Sequence, residues 1–314
     1  MVKVKQFPKD KGLDHTLELL NEGYTFIGRR TYRHQTDFFQ TRLMGKKVIC
    51  MTGVDGARIF YNPKLFERKG VMPHRVKETL IGKNSIQGLD GRAHKNRRAL
   101  LMNFTTKERE KELIKLATKA WEEAIETWVN KDEIILIVEA EKILCKAACE
   151  WIGILLPEEQ VEGVARALGE EEDRERFNEE VRRYYPFAPF IGAKVRKNFI
   201  WRGYAFKRGT LVLLDLYGTN HDERLWKEPY TFNPDRYKKE KKNRYNFMPQ
   251  GGGSMKGHRC IGENITMAMM NIALDMLVNK MSYELPPQDL SYSLSDMPTL
   301  PTSGVIMSQI KRRK

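Results

Sequence analysis

The chain has 314 residues, 41% of them hydrophobic, and a formal net charge of +14. That length and apolar fraction suffice for one large core, or two smaller ones, without disulfides, which excludes a disulfide scaffold and a disordered polymer. The charge admits a nucleic-acid or anionic-surface partner, but the basic residues are dispersed and the only dense cluster is the terminal Lys311-Arg312-Arg313-Lys314. A solvated surface with a frayed tail accounts for it better than nucleic acid, and anionic substrates or an acidic partner surface stay open.

The cysteines, Cys50, Cys145, Cys149 and Cys260, fit free thiols in a reducing compartment. Cys145 and Cys149 lie one helical turn apart, but no second pair at metal spacing accompanies them, and a helix face explains them better than zinc. Lys3, Lys5, Lys9, Asp10, Lys11 and Asp14 interrupt the opening stretch, which predicts no secretory signal. No run approaches the roughly 18 to 20 apolar residues of a membrane span. A cytosolic protein is expected.

The first hundred residues mix short strands and helices. Arg42 to Thr52 reads as a strand pair around Gly45, and Gly53 to Phe60 as a helix. From Thr105 to Trp128 the apolar residues recur at three and four, predicting an amphipathic helix with Thr105 or Thr106 as its N-cap. Ile134 to Ile154 is more apolar and is expected to be largely buried. The charged run Gly169 to Arg176 continues into a helix through Phe177, Val181 and Tyr184, which Pro186 stops. Phe199 to Asp215 reads as a hairpin with Gly203 and Gly209 as turn signals. His221 to Tyr245 reads as an irregular meander. A helix over Ile265 to Leu277 precedes a strand-rich end.

The most informative stretch is Phe247-Met-Pro-Gln-Gly-Gly-Gly-Ser-Met-Lys-Gly-His-Arg-Cys260-Ile-Gly262-Glu. Glycines such as Gly251 and Gly252 let backbone approach a flat ligand, having no Cβ to collide with it. A cysteine leading into a helix meets unpaired N–H groups that favour the thiolate. Thiolate is a standard haem ligand, although a buried free thiol after a flexible loop fits the same pattern.

Two further segments narrow the choice. Glu180-Val-Arg-Arg183 places Glu180 and Arg183 on one helix face, and Phe232-Asn-Pro234-Asp-Arg236-Tyr237 follows downstream. In this order and spacing the three motifs resemble the cytochrome P-450 family. There a Glu and Arg from the first motif and an Arg from the second lock the core behind the haem, which implies those roles for Glu180, Arg183 and Arg236. In the usual family loop a Phe stands seven residues before the cysteine and a Gly four before it; here Gly253 and Lys256 occupy those places. The lengthened loop with Gln-Gly-Gly-Gly resembles the bacterial fatty-acid peroxygenases. Asn84 to Gly91, Arg182 to Phe187, Asp215 to Asp222 and Met297 to Pro301 agree with that branch.

The resemblance implies a mainly α fold with small β-sheets (α+β), P-450-like but truncated, as a single haem-thiolate domain over 1–314. It implies haem b, with Cys260 as the axial iron ligand and His94, Arg98 and His258 serving the propionates. Gln87 matches the distal position, where the Gln form resembles hydroxylases and His decarboxylases. Ile81 sits where relatives often carry Phe, and Phe187, Pro189 and Phe190 would line an acyl channel, although such an aromatic cluster also reads as plain core.

The chain is about a quarter short of the family's usual length, and the absent block, an internal deletion near 167–174, includes the long helix that roofs the haem. In the peroxygenases that helix supplies an Arg-Pro pair whose arginine holds the substrate carboxylate; no Arg-Pro dipeptide occurs here. Arg166, Arg174 and Arg176 lie near the junction and are candidate substitutes. The expected activity is hydroxylation of a long-chain fatty acid at the α or β carbon using hydrogen peroxide, with no reductase partner. A non-catalytic haem-binding remnant or engineered minimal scaffold is the alternative.

Overall fold

A computed structural model describes residues 4–71, 85–151, 171–185 and 187–313. Two compact units emerge, one from Met1–Leu101, Val181–Cys260 and Leu294–Thr299, the other from Met102–Glu180, Ile261–Ser293 and Leu300–Lys314.

The first unit opens with helices α1 (Thr16–Glu22) and α2 (Phe26–His34), then strands β1 (Phe38–Leu43) and β2 (Lys46–Met51), helix α3 (Gly53–Phe60) and strand β3 (Phe66–Glu67). Met44 and Gly45 join β1 to β2 with φ of 49° and 71°, the left-handed pair that a two-residue hairpin loop needs. After helix α4 (Gly91–Phe104) the chain leaves this unit and returns with β5 (Phe190–Val195), the hairpin β6 (Phe199–Trp201) and β7 (Tyr204–Phe206), β8 (Leu211–Asp215) and the short helix α8 (Tyr217–Asn220). The main sheet runs β1-β2-β8-β5-β3. Because β2 is an inner strand, parallel to β8 and antiparallel to β1, Val48, Ile49, Cys50 and Met51 are all buried instead of alternating. The reading of Phe199 to Asp215 as one hairpin is corrected: β6 and β7 pair with each other, while β8 joins the main sheet. Phe190 begins a strand that pairs with β8.

The second unit packs α5 (Lys107–Trp128), α6 (Leu136–Trp151) and α9 (Glu263–Asn279) with a small sheet ordered β4-β10-β9, where β4 is Glu133–Ile135, β9 Met281–Glu284 and β10 Ile306–Arg312. Thr106 caps α5 by accepting from Arg109 N. Leu113, Ala117, Ala120, Trp121, Ile125 and Trp128 form its buried stripe. The expectation that the next segment is largely buried is corrected. In α6, Glu139, Ile143 and Ala147 are buried while Val138 and Leu144 are 44% and 42% exposed, because one stripe at four-residue spacing meets the core. Glu139 is buried with a partner, accepting from the Trp128 indole N–H.

Helix α7 spans Glu171–Tyr184 and ends two residues before Pro186. The meander holds a 3-10 turn at Pro234–Lys238. Among the described residues no helix is long and apolar enough to cross a membrane.

Candidate haem-thiolate site

The Cys260 loop, helix α4 as far as Leu101 and the segment from Tyr61 to Arg68 belong to the first unit. Helix α4 is unusual: its buried residues are His94 and Arg98, while Leu100, Met102 and Phe104 are exposed. A helix that turns a guanidinium and an imidazole inward, against the ordinary pattern, suits an anionic partner there. Arg98 Nε donates to Met255 O at 2.6 Å, which ties α4 to the loop, and its Nη2 is buried with no hydrogen-bond partner among the described residues. Burial lowers the pKa of Arg98, and the Cys260 sulfur opposes that shift.

The rings of His94 and His258 lie 4.2 Å apart. Burial, reinforced by Arg68 and by His94 itself, pushes His258 down to about 3, and burial also lowers His94, with Arg98 adding to it. Arg68, buried at 8% exposure, stacks its guanidinium 4.2 Å from the Phe60 ring centre, and desolvation holds it down at about 10. Asp90 is the acid facing this group: it accepts from Arg68 N at 2.7 Å and Lys69 N at 2.8 Å and lies 3.7 Å from His258 Nε2. Among the described residues, Arg68, Arg98 and two neutral histidines face one carboxylate, Asp90, which leaves room for further negative charge.

The loop glycines are required by the chain itself. A Cβ on Gly252 would lie 2.6 Å from both Arg244 O and Met248 Sδ, and one on Gly253 2.9 Å from the Tyr61 ring. Gly251 and Gly253 also take φ of 88° and 78°, where side chains are strained. Gly252 N donates to the Tyr61 hydroxyl at 2.6 Å, fixing the loop from beneath. Tyr61, Arg68 and Asp90 carry the site's geometry without standing out in the sequence. Their only signal is Asp90's place in the Asn84 to Gly91 stretch.

Cys260 lies three residues before the first residue of α9. Its N–H donates to Gln250 O at 3.3 Å. Arg183, fully buried, donates from Nη1 to Asn220 O and Pro229 O at 2.9 and 2.8 Å. Arg236 donates to Lys227 O, Glu228 O and Thr231 O at 2.5, 3.2 and 2.9 Å. The two arginines thus tie down one stretch of meander, and Glu180 is buried as well.

Gln87 is exposed in the 3-10 turn Ile86–Gly88. Phe187 is 63% exposed, with its carbonyl accepting from the Tyr24 hydroxyl, while the Pro189 carbonyl accepts from Leu216 N at 3.0 Å. Phe190 packs against the cluster of Phe26, Ile27 and Phe39. Ile81, Arg166 and Pro186 lie outside the described residues, and Arg174 and Arg176 fall in α7. An open groove of about 360 Å³ follows another face of α4, lined by Leu89, Ala93, Asn96, Arg97 and Leu100.

The cytochrome P450 family model matches residues 175–307. Cytochrome P450 3A15 of Cavia porcellus is 33% identical over 107 residues, 33% of this chain but 21% of that protein, so the match spans about a fifth of that curated relative. Solved structures match from end to end. Cytochrome P450EX alpha, a CYP152 protein solved with myristic acid, is 32% identical with a TM-score of 0.91, covering 98% of this chain and 100% of that one. A variant of cytochrome P450SP alpha gives 30%, a TM-score of 0.90, and coverage of 96% and 100%. A variant of cytochrome P450 OleT in complex with arachidonic acid gives 26%, a TM-score of 0.91, and 99% of each chain. At 314 residues the present chain is shorter than these structures.

Haem b, which this fold carries, has two carboxylates and an iron that accepts thiolate. An orphaned guanidinium N–H on Arg98, paired imidazoles and a cysteine on a closely approached loop fit those groups. With an end-to-end structural match and a donor set suited to the cofactor, the chain belongs to the cytochrome P450 family, in its CYP152 branch, and its cofactor is haem b.

Proposed function

We propose that the protein is a cytosolic oxidoreductase that uses hydrogen peroxide to hydroxylate long-chain fatty acids at the α or β carbon, without a reductase partner. The observation that carries this reading is the Cys260 loop facing a helix whose buried side chains are His94 and Arg98. When bound, haem supplies the redox chemistry. Cys260 would ligate the iron, and Arg98, His94 and His258 would hold the propionates. Gln87, at the position that matches the distal residue of the family, would orient peroxide. Glu180, Arg183 and Arg236 hold the core behind the cofactor.

The internal deletion near 167–174 removes the roof and the arginine that pairs with the substrate carboxylate, an interaction contributing about 1.5–3 kcal/mol. The groove beside Arg97 supports a ligand with an apolar tail and an anionic head, since Leu89, Ala93 and Leu100 supply apolar wall and Arg97 a cation. Ile81, Phe187, Pro189 and Phe190 would continue the acyl path. Loss of the roof would leave apolar porphyrin wet, forfeiting about 2.5 kcal/mol per 100 Å², and haem would then be held less tightly.

The test is incubation of the haem-loaded protein with peroxide and hexadecanoate. The reading expects hydroxyhexadecanoate above a haem-only control. A thiolate-type ferrous carbon-monoxide spectrum with no hydroxy acid would instead make the chain a haem-binding remnant, the outcome favoured if the lost arginine is not replaced.

A further inference from the structure

Gln250 stands between a buried arginine and the cysteine sulfur. Arg182 Nη2 donates to Gln250 Oε1 at 3.0 Å, and Gln250 Nε2 faces Cys260 Sγ at 3.9 Å, long but within reach for a sulfur acceptor. The backbone reinforces the pairing, since Cys260 N donates to Gln250 O at 3.3 Å. A carboxamide has chemically opposite ends, and a guanidinium can only donate. Arg182 therefore faces the carbonyl end, which leaves the NH₂ end pointing at the sulfur. Arg182 is itself held in place, 7% exposed, with its guanidinium 5.4 Å from the Phe247 ring centre.

We propose that Gln250 donates a hydrogen bond to the Cys260 thiolate and so sets how strongly the sulfur donates to the haem iron, with Arg182 the positioning residue that fixes the amide's orientation. An N–H aimed at sulfur withdraws electron density from it, and hydrogen bonding to a metal's ligands tunes both affinity and potential. Without that donor the thiolate donates more strongly and favours ferric iron.

The inference rests on the haem-thiolate reading, and the experiment separates the two. The reduction potential and the resonance-Raman iron–sulfur stretch are measured on haem-loaded wild type, Gln250→Met, Arg182→Lys and the double variant. Gln250→Met keeps the bulk and loses the donor; Arg182→Lys keeps the charge and loses the planar fork. Gln250→Met is expected to move the potential negative and raise the stretch frequency. Arg182→Lys should give part of the same shift, and adding it to Gln250→Met should add nothing. Unchanged potential and frequency in Gln250→Met, with wild type showing a thiolate spectrum, would overturn the role of Gln250 alone. Absence of a thiolate spectrum in wild type would overturn both. Should Gln250→Met fail to fold, Gln250→Leu gives the same comparison, and Arg182→Lys tests it independently. A purely structural role would lower the melting temperature and leave potential and frequency where they are.

Discussion

Replacing Asp215 by asparagine isolates a large buried charge effect in the first unit. Asp215 closes β8 at 1% exposure. Its Oδ1 accepts from Gly218 N at 2.7 Å, and its Oδ2 is buried without a partner. Burial raises its pKa from 3.8 to about 7, with Asp222 adding to the shift. The folded state therefore holds a proton that the unfolded chain has lost. The corresponding stability is fully present below the unfolded pKa of 3.8 and disappears as pH rises through about 7. That displacement corresponds to about 4 kcal/mol. Asparagine keeps the acceptor for Gly218 and cannot ionise. In urea titrations of the apoprotein at about pH 4, 5, 6, 7 and 8, which cover the window between the two pKa values, wild type should lose stability faster than Asp215→Asn as pH rises. At the alkaline end the variant should be the more stable of the two, by up to about 4 kcal/mol. Parallel curves would refute the assignment of a proton to the buried carboxyl.

Tyr61→Phe leaves the buried Gly252 N–H without its acceptor and is expected to cost about 1–3 kcal/mol, read as a lower urea midpoint with unchanged slope. Gly252→Ala forces a methyl to 2.6 Å from Arg244 O and Met248 Sδ; overpacking of this kind costs about 1–3 kcal/mol, and haem content per protein should fall with it. Arg97→Gln removes the cation from the α4 groove. If the groove takes the carboxylate, hexadecanoate affinity measured by calorimetry should weaken by about tenfold or more, while hexadecanol binds as before.

Those parts of the site whose chemistry needs fixed residues at fixed spacing were legible in the sequence. Cys260, Arg183 and Arg236 stand in linear motifs, and periodicity alone placed α5 with its Thr106 cap. Tyr61, Arg68 and Asp90 were not legible, because a tyrosine beneath a glycine loop or an arginine over Phe60 acquires its role only through contacts distant in the chain. The apolar content of α6 suggested burial all round, yet its buried described residues are Glu139, Ile143 and Ala147, with Leu136, Ala140 and Trp151 partly covered. Phe190 looked like channel lining and also opens β5, its ring against a core cluster. The loop glycines suggested room for a flat ligand; Tyr61 and Met248 already occupy much of the space a Cβ would need.

The most direct measurement is the absorption spectrum of the reduced, carbon-monoxide-treated protein beside that of Cys260→Ala. Thiolate ligation predicts a strongly red-shifted Soret band in wild type that vanishes on substitution, with loss of pigment. Identical spectra and pigment content in the two proteins would contradict it.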